Sequence, residues 1–286
     1  MLILQAPAKL NLTLEVLGER QDGFHEVCSV IQSINLCDRL CFQPSQNIEF
    51  NCANPSWIPE NSLISKAVCL LQKATGCSKG AAIEIKRRIP LISGLSGDSS
   101  GAAAALCGLN RFWKLGLSLT ELLELASQLG SDVSFFLYGG TALVKGRGEI
   151  VTPLPPSPHI WVVLMVPSVP RVIGKTGRLY ANLNASHYTD GQITNRLATL
   201  LTEGGEITSS CLFNVFDSVA LDSFDGLKQY REQFSRAGAE EVHLAGSGPT
   251  LFTLTKDSAK AEKIYLKLQK QGLESYLTDI PAAVGK

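Results

Sequence analysis

The sequence predicts an α+β protein built in two halves. Segments that alternate apolar and polar residues, as strands do, are mixed with segments whose apolar residues recur at helical spacing. Their order, with long connections between them, fits an α+β sandwich. A proline-rich stretch at Pro153–Pro158 is the strongest break in composition along the chain. It predicts two domains, residues 1–153 and residues 154–286.

Composition excludes several classes of protein. The chain has 286 residues, of which 45% are hydrophobic and 18% charged, so it can bury a full core. Its 26 basic and 26 acidic residues give a formal net charge of zero, which provides no general field for nucleic acid or an anionic membrane. We therefore expect neither nucleic acid nor a membrane among its partners, and any recognition of phosphate must be local.

Cysteine usage and the N-terminus predict a cytoplasmic protein. None of the eight cysteines forms a Cys-x-x-Cys pair, and most stand beside apolar residues, as buried thiols in a reducing compartment do. Because their number is even, disulfides are the alternative. The apolar run Met1–Leu4 is too short for a signal peptide. No window approaches the roughly 18 consecutive apolar residues of a membrane helix.

Periodicity predicts the elements in order. In the first half, strands are expected at residues 1–4, 9–16, 27–36, 39–50 and 82–88, and helices at 62–75, 102–113 and 120–129. In the second half, strands are expected at 159–166, 242–245 and 251–254, and helices at 177–183, 193–201, 211–221, 224–237 and 259–271.

A loop of small residues, Ile89–Gly101, joins a predicted strand to an alanine-rich predicted helix. Small residues let a ligand approach the backbone, and the first turn of a helix offers N–H groups and partial positive charge to a phosphate. An ordinary glycine-rich connection is the alternative. The loop is not a Walker P-loop, because no Gly-Lys-Ser/Thr follows, and its spacing does not match the Rossmann fingerprint.

The predicted strand at residues 9–16 carries Lys9, Asn11, Thr13 and Glu15 on one face. Ala6-Pro7-Ala8 is expected to interrupt the chain just before it. Lys9, at the start of the strand, can point into a cleft. For Thr13 and Glu15 we expect a solvated strand face.

Two other positions suggest chemistry. Phe24-His25 follows a polar turn, and the two rings either pack in the structure or bind a nucleobase. Asp132 follows a glycine and is surrounded by apolar residues, so it either caps a helix or serves as a base.

Together, the order of these motifs resembles that of the GHMP small-molecule kinases. The strongest matches are Pro7-Ala8-Lys9-Leu10-Asn11-Leu12, Asp22-Gly23-Phe24-His25, the loop Ile89–Gly101, Gly130-Ser131-Asp132-Val133-Ser134-Phe135-Phe136, and Ala245-Gly246-Ser247-Gly248-Pro249-Thr250. The resemblance implies a two-domain GHMP kinase fold. Its N-terminal domain would be ribosomal-protein-S5-like and its C-terminal domain a ferredoxin-like α/β sandwich.

The motif around His25 resembles one branch of the superfamily and implies its reaction. ATP, with Mg²⁺, would phosphorylate the 2-hydroxyl of a methylerythritol unit that carries a cytidyl diphosphate, in the non-mevalonate route to isoprenoid precursors. A kinase for another alcohol, or a non-catalytic ligand-binding protein of the same fold, is the alternative. The resemblance leaves the Mg²⁺ ligands unassigned and allows a monomer or a homodimer.

The same resemblance implies residue roles. Lys9 and Asp132 match the catalytic lysine and aspartate. Asn11, Phe24 and His25 match substrate-binding positions, with Phe24 where tyrosine is usual. The ATP-binding positions implied are Pro90, Ser93, Gly94, Leu95, Ser96, Gly97, Asp98, Ser99 and Ser100.

The phosphate loop departs from the family pattern. Ile92, Ser96 and Asp98 stand where glycine is usual, and Gly101 stands where Asp or Asn is common. Ile92 restricts its backbone more than glycine would. Three arrangements of Asp98 are open: it points outward or caps the helix, it helps to hold Mg²⁺, or it weakens ATP binding.

Overall fold

A computed structural model of the chain describes residues 1–170 and 174–281. Within those residues it mixes helices and strands along the whole length, as expected for an α+β protein. The strands are β1 Leu2–Glu19, β2 His25–Gln43, β3 Ile48–Cys52, β4 Ala81–Lys86, β5 Thr141–Gly146, β6 Ile150–Leu154, β7 Ile160–Met165, β8 Phe213–Asn214, β9 His243–Leu244, β10 Leu251–Thr255 and β11 Ser275–Ile280. The α-helices are α1 Leu63–Thr75, α2 Gly97–Trp113, α3 Leu119–Leu129, α4 Ser131–Tyr138, α5 Lys175–Ala181, α6 Gln192–Thr202, α7 Asp217–Ser223, α8 Leu227–Ala237 and α9 Ser258–Lys270.

The chain divides into two compact units that are each discontinuous in sequence. The first unit contains Met1–Ala8, Leu36–Leu91 and Ser96–Gly139. The second contains Lys9–Asn35, Ile92–Leu95 and most of the chain from Gly140 onward. The boundary between residues 153 and 154 that the sequence suggests stays a prediction.

In the first unit, helices α1 to α4 accompany a sheet in which β4 lies between β3 and the second part of β2. Strand β4 pairs parallel with β3 and antiparallel with residues 39–43 of β2. A core cluster of apolar side chains includes Phe42, Ile64 and Trp113, and the alanines of α2 allow close packing. The helix begins at Gly97, so this packing places the end of the small-residue loop at its N-terminus.

In the second unit, β5 lies antiparallel to residues 27–32 of β2 and to β6, while β8 pairs parallel with β1 at Thr13 and Leu14. A separate four-stranded sheet has the order β11-β7-β10-β9. The core cluster of this unit includes Phe216, Phe234 and Ile264. It supports the second glycine-rich loop, residues 245–250, between β9 and β10.

Helix boundaries follow the sequence signals closely where caps are present. The Ser62 side chain accepts a hydrogen bond from Ile64 N at the start of α1, and Gly76 ends that helix in the left-handed conformation. Ser118 and Glu121 form a capping box on α3. Both helices begin within one residue of the predicted positions.

Three predictions about local structure were wrong. Strand β1 continues through Pro7 as one element, because proline is tolerated in a strand where no ladder N–H is required. The helix predicted at residues 211–221 contains β8, and its helical part begins only at Asp217. Thr13 and Glu15 are fully buried, so their face of β1 is not solvated.

Glu15 is buried because α6 begins against it. Its Oε2 atom accepts a hydrogen bond of 2.7 Å from Thr194 N in the first turn of that helix, where a carboxylate complements the partial positive charge. Thr194 Oγ1 contacts Thr13 Oγ1 at 3.0 Å, so both side chains serve internal packing.

No helix in the described part of the chain has the length and apolar character needed to span a bilayer. All eight cysteines are unpaired, and burial raises the pKa of the Cys28, Cys37 and Cys107 thiols. Cys69 is exposed, unlike the buried thiols expected from its neighbours.

Candidate active site

The middle of the small-residue loop is fixed within the second unit by backbone contacts. Lys9 N donates to Leu95 O at 3.2 Å, and Thr250 N donates to Ser93 O at 3.2 Å. Gly94 has a φ of +90°, and a Cβ there would clash with the backbone of the second glycine-rich loop. Glycine is required here because two loops approach each other closely.

The end of the loop belongs to the first unit and leads directly into α2. Ser96, with a φ of 55°, precedes the helix, but its side chain does not cap it. Instead Ser96 Oγ donates to Asp132 Oδ2 at 2.5 Å. The first intrahelical bond runs from Ser100 N to Ser96 O at 3.0 Å. The N–H groups of the preceding turn therefore point beyond the helix N-terminus, where a phosphate can accept them.

Ser100 adds a polar group to the same turn. It is 1% exposed, and its Oγ atom has no hydrogen-bond partner among the described residues. Because buried hydroxyls are normally satisfied, this atom is suited to an acceptor or cation that a ligand brings. Ser99 lies in the same first turn, and Pro90 lies in the loop before it.

Asp98 pairs with Arg87, a contact that sequence reasoning missed. The Arg87 guanidinium, 3% exposed, pairs with Asp98 and also with Asp38 Oδ2 at 3.0 Å. Asp38 is 1% exposed and accepts hydrogen bonds from Arg88 N at 2.6 Å and Ile89 N at 2.8 Å. The charge of Asp98 is therefore partly compensated, which none of the three sequence-based arrangements included.

Burial dominates the electrostatics of this group. It raises the pKa of Asp38, although the two backbone amides and Arg87 act in the opposite direction. Asp38 thus joins the exit of β4 to the start of the loop through one buried carboxylate. The Asp98 side chain is 46% exposed, so its ion pair with Arg87 is weaker than the buried ion pair between Arg87 and Asp38.

Two of the loop's departures from glycine leave residues in strained backbone conformations. Ile92 and Ser96 have φ values of 54° and 55°, in the left-handed region that residues other than glycine rarely adopt. The conformation is least favourable for Ile92, because its side chain is β-branched. Gly101 has a packing reason, since a Cβ there would lie 2.8 Å from Ile64 Cδ1. The large side chain of Ile64 occupies the space that Asp or Asn would need.

Lys9 and Asn11 meet in the second unit. Both are 5% exposed, and Lys9 Nζ donates to Asn11 Oδ1 at 2.6 Å. A Cβ on Gly246 would lie 3.1 Å from Lys9 Nζ and 3.2 Å from Asn11 Oδ1, so the second glycine-rich loop packs directly on this pair. The strand periodicity that grouped Lys9 with Asn11 is therefore confirmed, and the Asn11 amide oxygen is one acceptor for the ammonium.

Phe24 ends the turn before β2 and His25 is the first residue of that strand, both in the second unit. Phe24 is 53% exposed, and the Arg147 guanidinium lies 4.9 Å from its ring centroid, a cation–π geometry. The His25 ring lies 4.8 Å from the Tyr180 ring and 6.2 Å from the Tyr188 ring. The neighbourhood of His25 is therefore aromatic, and the tertiary fold brings Tyr180 and Tyr188 to it, since no local spacing links them to His25.

Known proteins match along the whole chain. A model described as the GHMP kinases N terminal domain matches residues 62–140, and the GHMP kinases C terminal model matches residues 194–273. A 4-diphosphocytidyl-2-C-methyl-D-erythritol kinase of Dehalococcoides mccartyi is 50% identical, covering 97% of this chain and 97% of that protein. The chain belongs to the GHMP kinases.

A second relative and one solved structure are also named as kinases of 4-diphosphocytidyl-2-C-methyl-D-erythritol, and a further solved structure shares the fold. The protein of Geobacillus thermodenitrificans is 39% identical, covering 92% of this chain and 91% of that protein. The crystal structure of a 4-(cytidine 5'-diphospho)-2C-methyl-D-erythritol kinase is 28% identical with a TM-score of 0.83, covering 99% and 100% of the two chains. Homoserine kinase from Cytophaga hutchinsonii, at 18% identity and a TM-score of 0.72, shares the fold, covering 98% of this chain and 94% of that chain. The expected two-domain GHMP kinase fold is confirmed.

Proposed function

We propose that this GHMP kinase uses ATP to phosphorylate the 2-hydroxyl of 4-diphosphocytidyl-2-C-methyl-D-erythritol in the non-mevalonate route to isoprenoid precursors. The observation that carries the proposal is the 50% identity, over nearly the full length of both chains, to a relative named for that substrate. We further propose that the protein works in the cytoplasm as a monomer or homodimer.

Asp132 is the proposed general base. Its carboxylate is oriented by the Ser96 hydroxyl at the end of the loop, 2.5 Å away. A positioned carboxylate that takes the proton of the attacking hydroxyl accelerates transfer by about 10²–10⁴-fold. Ser96, which stands where glycine is usual, therefore helps to fix the rotamer of Asp132.

Lys9 is the proposed electrostatic catalyst. Its ammonium donates to the neutral Asn11 Oδ1, and this hydrogen bond orients the positive charge. An ammonium in a low-dielectric site stabilises the negative charge that develops on the transferring phosphoryl group. In this arrangement Asn11 acts on the substrate partly through Lys9.

The loop and the start of α2 are proposed to bind the phosphates of ATP. Support comes from the uncapped first turn of α2 and from the buried Ser100 hydroxyl that lacks a partner among the described residues. Arg87 lowers the cost of placing Asp98 beside phosphates, because it pairs with that carboxylate. ATP supplies the phosphoryl group, and the residues hold it in line with the acceptor hydroxyl.

Mg²⁺ is proposed to accompany the nucleotide. The described residues contain no group of three or more His, Cys, Asp or Glu side chains able to hold a metal ion. The ion would therefore be held largely by the phosphates with one or two protein oxygens, as is usual for Mg²⁺. Ser100 Oγ and the Asp98 carboxylate are the groups that would contribute near the helix start.

Phe24 and His25 are proposed to bind the cytosine ring. Phe24 offers an exposed aromatic face for stacking, and the Arg147 guanidinium lies against the same ring. His25 supplies a hydrogen-bonding group inside an aromatic surround. Selectivity for cytosine over uracil then depends on groups that match the cytosine edge.

The deciding experiment measures ADP release with the cytidyl alcohol, and ³¹P NMR identifies the new phosphate monoester. Controls omit the alcohol, or replace it with the uridine analogue, mevalonate or homoserine. Formation of a 2-phosphate only from the cytidyl alcohol supports the proposal. Equal turnover of the uridine analogue contradicts the cytosine site, preference for another alcohol contradicts the substrate, and ligand binding without turnover contradicts the kinase reaction.

A further inference from the structure

A hydrogen-bonded chain of three buried side chains ends on Lys9. Lys9 Nζ donates to Asn11 Oδ1 at 2.6 Å, and Asn11 Nδ2 donates to Ser29 Oγ at 2.8 Å. Ser29 Oγ in turn donates to the backbone oxygen of Thr13 at 2.5 Å. Ser29 is 1% exposed on β2, and no role on that residue follows from the motifs in the sequence.

The donor and acceptor balance of this chain fixes its direction. A lysine ammonium can only donate, so it requires the oxygen of the Asn11 amide. A serine hydroxyl has one proton, and that proton is used on Thr13 O. Ser29 can therefore only accept from Asn11, which turns the amide nitrogen toward Ser29 and the amide oxygen toward Lys9. Ser29 thus selects the one orientation of Asn11 that binds an ammonium.

Thr13, whose backbone oxygen ends this hydrogen-bonded chain, is itself held by neighbouring elements. Thr13 Oγ1 accepts from Val30 N at 2.9 Å and from Thr194 Oγ1 at 3.0 Å, which ties this part of β1 to β2 and to the first turn of α6. On the other side, the backbone at Gly246 packs against Lys9 and Asn11. The amide of Asn11 has little room to find a different partner if Ser29 is lost.

We propose that Ser29 is a positioning residue that orients the Lys9 ammonium through Asn11. The catalytic consequence rests on the proposed function, because it takes Lys9 as the group that stabilises the transferring phosphoryl group. Without the Ser29 hydroxyl, the Asn11 amide loses the partner that fixes its orientation. Lys9 then loses the oriented acceptor that Asn11 provides, and the position of its ammonium becomes less restricted.

Steady-state kinetics of Ser29→Ala test the catalytic consequence. We expect kcat to fall about tenfold, the size of one charge-assisted hydrogen bond, while KM for ATP and for the alcohol stays within about twofold. Ser29→Thr keeps the hydroxyl on a strand position that suits a β-branched residue and is expected to restore most of kcat. Unchanged kcat in Ser29→Ala, or a change confined to KM, overturns the proposal.

Ser33→Ala is the matched control. Ser33 is buried on the same strand and the same face, and its Oγ atom has no hydrogen-bond partner among the described residues. Removing that hydroxyl deletes a buried oxygen without touching the chain to Lys9, so kcat should not change. An equal fall in Ser33→Ala would show that any loss of a buried hydroxyl in β2 lowers activity, which overturns the proposal.

The Asn11 side-chain amide gives a readout independent of turnover. In protein labelled with ¹⁵N at asparagine side chains, we expect the Asn11 amide protons to exchange slowly in wild type and at least tenfold faster in Ser29→Ala. Ser29→Cys keeps the packing but is a weak acceptor, so it should exchange fast as well and serves if Ser29→Ala does not fold. Unaltered exchange in the variant that folds overturns the proposal. A wild type that shows this exchange pattern but does not phosphorylate the alcohol contradicts the proposed function and leaves the role of Ser29 standing.

Discussion

The buried bridge between Arg87 and Asp38 yields the sharpest stability prediction. Replacing Arg87 with methionine removes the cation and leaves the Asp38 carboxylate, 1% exposed, without its charge partner. Breaking a buried ion pair from one side costs about 3–5 kcal/mol. The Asp98 side chain is 46% exposed, so Asp98→Asn should cost no more than about 1 kcal/mol. Comparing the two variants separates the contribution of the buried Asp38 pair from that of the half-exposed Asp98 pair.

The pH dependence of the Arg87→Met penalty has a defined sign. Burial already raises the pKa of Asp38 in the wild type, and Arg87 is one of the groups that counter this rise. In the variant the folded-state pKa of Asp38 therefore lies higher still above its unfolded value. A carboxylate with a raised folded pKa loses stability as pH rises through that value. The penalty of Arg87→Met should thus be larger at pH 8 than at pH 5.

Urea unfolding at both pH values measures this penalty, with Arg111→Met as a control on an exposed arginine of the same unit. The double variant Arg87→Met/Asp38→Asn removes both charges but keeps an oxygen for the amides of Arg88 and Ile89. It should therefore be more stable than Arg87→Met alone. A penalty below about 1 kcal/mol for Arg87→Met, or no gain in the double variant, would refute the reasoning.

Three further predictions concern catalysis, pH and the loop. Lys9→Met and Asp132→Asn should each lower kcat at least about 10²-fold with circular dichroism unchanged, and near-normal turnover removes the assigned role. Burial raises the pKa of Asp217 from 3.8 to about 6 and lowers that of His243 from 6.5 to about 4. Ionised Asp217 lowers the free energy of unfolding by up to about 3 kcal/mol above pH 6, and protonated His243 lowers it by a similar amount below pH 4. Between pH 4 and pH 6 the two contributions therefore change with pH in opposite directions. Asp217→Asn should therefore be more stable than wild type at pH 8 in urea, and its stability should fall from pH 6 to pH 4; greater stability of wild type at pH 8 contradicts this. Ile92→Gly relieves a left-handed isoleucine with a φ of 54°, and its melting temperature should not fall, because the relief of about 1–2 kcal/mol offsets the entropy of glycine; a clear drop would show that the Ile92 side chain contributes packing.

Local signals predicted the elements that depend on local physics. The caps at Ser62 and Ser118 and the helical spacing behind them set α1 and α3 to within a residue. Strand alternation put Lys9 and Asn11 on one face, and the structure joins them. The same alternation failed for Glu15, because whether a strand face is solvated depends on what packs over it. Here α6, distant in sequence, covers that face.

The partners of the site residues could not be read from the sequence, since each lies on a different element. Ser29 and Asn11 are 18 residues apart, and Arg87 and Asp38 are 49 apart. No spacing rule links such pairs; only the register of β1, β2 and β4 brings them together. Arg147 reaches Phe24 in the same way, through the pairing of β5 with β2. The motif residues are visible in the chain, but the groups that orient them depend on the tertiary fold.

The loop illustrates how one departure from a family pattern requires another. A carboxylate at position 98 would repel the phosphates that a helix N-terminus attracts. Arg87 reaches that carboxylate from the end of β4, and Arg87 is itself fixed by Asp38, which also holds the amides at the exit of the strand. Asp98 is therefore part of a three-residue bridge whose net charge is minus one when all its groups are ionised, rather than an isolated charge. Replacing Asp98 by glycine alone would leave Arg87 paired with Asp38, a neutral pair behind the loop. The effect of Asp98 on ATP binding must accordingly be judged for the bridge as a whole, because Arg87 compensates one carboxylate and not both.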